Sequence, residues 1–148
     1  MLRAGVRTVK VAPLSLLFLA LVTSLLASGC FSRRYPRLME AHLDLLSLFA
    51  AKLGALAEDE RTVPVQEWGE FTYPLERARD FARVAAGYYP ERASLHSFGD
   101  ALTAYGALVA DPAILSGADA AATVAARRAT FSAAVERTRA DLARERGS

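Results

Sequence analysis

Cysteine is nearly absent. The 148 residues include one, Cys30, so the fold has no intramolecular disulfide and no multi-cysteine zinc site. Lysine is almost as rare, with two against 16 arginines. Together with the abundant alanine, that bias matches a GC-rich coding sequence better than selection for guanidinium chemistry. Nine glycines and six prolines are too few and too scattered for a collagen-like or low-complexity chain. A surplus of one charge is missing as well. Setting aside Arg3, Arg7 and Lys10 of the leader discussed below leaves 15 basic residues against 16 acidic ones, which gives no ground for nucleic-acid binding. Gly-rich phosphate loops, nucleophile elbows, haem-attachment motifs and 20–50-residue repeats are not found. What is present is a chain that is 53% hydrophobic, of a length suited to one folded domain.

The N-terminus divides into three parts. Met1–Lys10 is short and basic, and Val11–Leu26 is apolar apart from Ser15, Thr23 and Ser24. Leu26-Ala27-Ser28-Gly29-Cys30 then closes the segment with small residues. A basic start, an apolar run and a small-residue junction make a secretory signal, predicted over residues 1–29. A retained transmembrane anchor over Val11–Gly29 is the alternative.

Leu26–Cys30 resembles the lipobox of bacterial lipoproteins, with Ala27 standing where that family most often has Leu. The resemblance covers the leader, about a fifth of the chain, and no family is recognised for the rest. It implies that Cys30 is acylated and becomes the first mature residue, followed by a short basic tether over residues 30–35. Several acyl chains, at about 0.8 kcal/mol per buried CH₂, anchor stably where one does not. Phe31 and Ser32 follow, with no Asp in the second position. By the same resemblance the protein is expected at the outer membrane, facing the periplasm. Arg33, Arg34 and Arg37 would then sit beside the headgroups, the alternative being a solvated tether with no lipid specificity.

From residue 36 onward the dominant period is helical, and a bundle domain is predicted over 36–148. The first segment carries Leu38, His42, Leu45, Phe49, Leu53 and Leu56 at spacings of three and four, with Met39 and Leu46 widening the stripe. Pro36 is expected in its first turn. Thr72-Tyr73-Pro74 reads as the start of a second helix burying Leu75, Ala78, Phe81, Ala82, Ala85 and Tyr88. A third follows Tyr89-Pro90-Glu91, with Leu95, Phe98, Leu102, Tyr105 and Val109 as a bundle seam. Asp111-Pro112 stops it. The capping-box-like Ser116–Asp119 starts a fourth helix with Val124, Phe131, Val135, Thr138 and Leu142. Four amphipathic helices with short connections predict an all-α, up-down four-helix bundle.

Chemistry-bearing patterns are few. His42 and His96 both lie near the starts of segments expected to run parallel, which keeps open a haem or metal site between them. Neither has the Glu three residues before it that a di-iron bundle needs. Glu40 with Asp44 and Glu67 with Glu70 read as solvated faces. No nucleophile–base or metal–water constellation is recognisable, so a non-enzymatic role is expected, without a resident cofactor. The dozen residues of Thr62–Tyr73 exceed what a bundle connection needs. Trp68 and Phe71 there, with Tyr88 and Tyr89, are the expected contacts for a protein partner, the competing reading being a buried plug. The overall expectation is a membrane-anchored lipoprotein whose bundle binds a partner or supports the envelope. The alternative is a periplasmic bundle that binds or senses a small ligand or cofactor.

Overall fold

The computed structural model describes the backbone of residues 13–147 and the side chains of residues 34–147. The chain separates into two compact units, Met1–Arg34 and Tyr35–Ser148. Residues 1–12 and the Cys30 side chain, and with them the signal and lipidation expectations, lie outside the described residues. The second unit is an all-α bundle.

Its helices are α1 (Pro13–Glu58, contributing from Tyr35 onward), α2 (Gly69–Tyr88), α3 (Ala93–Leu108) and α4 (Ala120–Gly147). Cross-helix pairs fix the order. On α1 and α2, Lys52 meets Glu70 while His42 meets Phe81. On α2 and α3, Phe71 accepts a hydrogen bond from Tyr105 while Phe81 packs on Phe98. On α3 and α4, Ser94 meets Glu145 while Tyr105 meets Phe131. On α4 and α1, Arg139 meets Asp44 while Arg146 meets Glu40. In each pair the numbering rises on one helix as it falls on the other, so the four run up, down, up, down, and the ring closes α4 onto α1. This is the predicted fold.

The seams of α3 and α4 are buried as expected, including Phe98, Leu102, Tyr105, Phe131 and Leu142. That of α1 is shifted. Tyr35, Met39, Leu43, Leu46, Ala50, Leu53 and Ala57 form the core, while Leu38 and Leu45 stand exposed. Small residues explain part of the choice. Gly54 lies under the Arg128 side chain of α4, and a Cβ there would overlap the guanidinium.

Helix ends also depart from expectation. Pro36 lies inside α1 rather than in its first turn. The helix α2 begins at Gly69, so Pro74 is interior and leaves the Glu70 carbonyl without its helical donor. After α1, Arg61 N–H donates to the Leu56 carbonyl (2.8 Å) with Glu60 at φ 55°. That is a Schellman-type stop with Glu where glycine is usual. Asp111 caps a short 3-10 turn, Pro112–Leu115, by accepting from the Ala113 N–H at 2.8 Å.

Candidate functional site

The most interconnected polar group lies where α1, α3 and α4 meet at the Tyr35 end. Tyr35 is fully buried, and its hydroxyl shares a 2.9 Å hydrogen bond with Ser94 Oγ. Ser94 Oγ also donates to Glu145 Oε2 (2.8 Å), and the Ser94 N–H donates to Glu145 Oε1 (2.9 Å). The carboxylate thus satisfies an orphan donor in the first turn of α3, where the N-cap, Arg92, supplies no side-chain bond. Arg92 approaches Glu145 (3.5 Å) and lies over the rings of Tyr35 and Tyr89 at 5.1 and 4.5 Å. Burial pushes the Tyr35 hydroxyl above its ordinary pKa. Every member has a partner, and the group reads as a structural clasp.

The expected partner contacts are not brought together. Trp68 is 6% exposed and Phe71 1%. The indole N–H donates to the Val109 carbonyl at 3.0 Å, and the two rings pack 5.2 Å apart. They plug the bundle end. Tyr88 and Tyr89 stand at the other end of the 20-residue helix α2, about 30 Å away at 1.5 Å per residue. The expectation that the four share one surface is therefore corrected. Tyr88 is exposed and Tyr89 is half-buried against Tyr35 and Arg92.

The two histidines are not paired either. His42 is half-buried with its ring 5.1 Å from Phe81, whereas His96 is exposed on α3. Glu40 and Asp44 are engaged by Arg146 and Arg139 of α4, each at 2.8 Å. Among the described residues, no group of three His, Cys, Asp or Glu is placed to hold a metal ion. Among the described residues, the hollows are open grooves. One of about 400 Å³ lies between the C-terminal end of α1 and Leu115–Ala121, and is lined there by Glu58, Glu60 and Thr62.

Burial, reinforced by Arg77, lowers the His42 pKa below 6.5. The folded state therefore resists a proton that the unfolded chain accepts. The resulting stability is complete above pH 6.5 and is lost as pH falls through the folded pKa. His42→Gln should flatten the acid side of a melting-temperature profile below that point. Equal slopes for variant and parent would refute the assignment.

Exposed large hydrophobic side chains are distributed unevenly. Leu38, Leu45 and Leu48 lie on α1, Tyr73, Val84 and Tyr88 on α2, and Val65 in the connection between them. Among the described residues, α3 and α4 contribute none. On α2, Glu70, Tyr73, Arg77, Val84 and Tyr88 fall along one side at helical spacing. Glu70 reaches Lys52 and Arg77 bears on His42, so this row borders α1. The spacing of apolar residues puts Leu38 and Leu45 in the core, yet both face outward here. The signal for this face lies in the second apolar stripe of α1. No protein family, curated protein or solved structure matches the chain. Among the described residues no helix is long and apolar enough to cross a membrane.

Proposed function

We propose that the protein is a bacterial envelope lipoprotein, anchored through acylated Cys30, whose bundle acts by docking rather than by catalysis. The observation that carries the docking half is the exposed apolar strip on α1 and α2. Leu48 is 64% exposed, Tyr73 61% and Tyr88 56%. Exposed apolar side chains gathered on one face mark an interaction surface more often than scattered ones do. The anchoring half is supported by Leu26–Cys30 and by the lack of any other cysteine. In this reading the protein sits at the outer membrane with the bundle in the periplasm.

Cys30→Ala is expected to abolish fatty-acid labelling and to leave the precursor uncut at this junction, as read by intact mass. Cleavage before residue 30 in the variant would overturn the anchor.

A further inference from the structure

We propose that the α1–α2 strip is covered by a second copy of this chain, in a parallel two-fold dimer centred on α1. The first support is spacing. Leu38, Ala41, Leu45, Leu48, Lys52 and Ala55 are all exposed and recur at 3, 4, 3, 4 and 3 residues. That is the a/d repeat of helices packing side by side, and it runs down the opposite side of α1 from the core seam. A helix apolar on both sides belongs inside an assembly rather than at its surface. The occupant it calls for is another helix with the same repeat, and α1 itself supplies one.

Charge and area agree with a second copy. Of the six seam residues only Lys52 is charged, and Glu70 of the same chain holds it at 2.8 Å. The remaining exposed charges of the strip, Arg37 and Arg77, flank the seam rather than lie on its 3,4 repeat. A single lysine at an a-type position also fixes register, at some cost in stability. The exposed parts of Leu38, Leu45, Leu48, Tyr73, Val84 and Tyr88 amount to on the order of 600 Å², against roughly 800 Å² per partner in an ordinary stable interface. The flanking alanines add to this.

Closure follows from distribution. Apart from Val65 in the connection before α2, the exposed large hydrophobics among the described residues lie on α1 and α2, so the apolar surface is concentrated on one face. One self-complementary face gives an isologous pair that closes at two copies, whereas a filament needs two different faces. The parallel sense rests on the proposed anchor, since two chains tethered at their N-termini to one membrane present α1 in the same direction. The strip itself does not depend on the anchor.

The test places a photo-crosslinking amino acid at Leu48 in the full chain, with two differently tagged copies in the same cells. The expected product has twice the chain mass, carries both tags and maps to residues near 48 of the other copy. The same probe at Ala133, exposed on α4, should give none. Leu38→Glu with Leu45→Glu should lower the Leu48 adduct at least about tenfold, equivalent to about 1.4 kcal/mol. The bundle should stay folded, because both positions are already exposed, and its melting temperature should fall only by what the lost pairing contributes. A lipid adduct, an adduct with a different protein, or equal yields at Leu48 and Ala133 would overturn the dimer. Intact mass reads Cys30 acylation separately. Acylation without the adduct removes the dimer alone, and the adduct without acylation removes the anchor alone.

Discussion

Trp68→Ala is expected to lower the unfolding free energy by about 3–5 kcal/mol. The indole is 6% exposed, packs on Phe71 and donates to the Val109 carbonyl. Val109 directly follows α3, so this one side chain fastens the connection before α2 to the end of α3. Truncation leaves a cavity and takes a buried donor from that carbonyl. Trp68→Phe should recover the packing share and leave the hydrogen-bond share, about 0.5–1.5 kcal/mol, unrecovered. Urea unfolding separates the two, and a cost below about 1 kcal/mol for Trp68→Ala would show that the plug collapses freely.

Phe98→Ala should cost a similar 3–5 kcal/mol, for a different reason. Phe98 is fully buried and meets Phe81 edge-on at 5.8 Å. Phe81 in turn faces Tyr35 at 6.0 Å and His42 at 5.1 Å. These rings join α1, α2 and α3, and removing Phe98 takes the α3 contribution from the ladder. Phe98→Leu retains most of the volume and should be milder. A midpoint shift without a change in the urea slope marks a loss of stability. A change in slope would instead point to a folded state that had lost compactness.

The legible parts of the chain are those whose faces differ in polarity. Leu95, Phe98, Leu102, Tyr105 and Val109 all lie in the core, as their spacing indicated, and so do Val124, Phe131, Val135, Thr138 and Leu142. The outer sides of α3 and α4 carry charges and small residues, which leaves each helix one way to turn. The helix α1 carries two apolar stripes, and periodicity cannot choose between them. Close packing does, through Ala50, Gly54 and Ala57, which let neighbouring helices approach. The sequence pattern places the start of α2 too late because a proline suits a first turn, yet Pro74 is accommodated inside the helix. Trp68 and Phe71 carry the same aromatic signal whether they face a partner or plug an end. Only tertiary placement decides that.

The clasp had no local signature. Ser94 and Glu145 are 51 positions apart, and Tyr35 and Ser94 are 59 apart. A capping box announces itself within four residues. A cap supplied by another helix leaves no pattern of that kind.

That cap also sets an order of events. The acceptor for the first turn of α3 is Glu145 of α4, 51 positions further along the chain. A chain emerging N-terminus first holds all of α3 long before the group that completes its start. Up to that moment the Ser94 N–H must be satisfied by water, and Tyr35 lacks the Ser94–Glu145 chain that later holds it. The start of α3 is therefore completed only once α4 has packed against it. Glu145→Gln should therefore speed amide hydrogen exchange at Ser94 while leaving the middle of α3 protected.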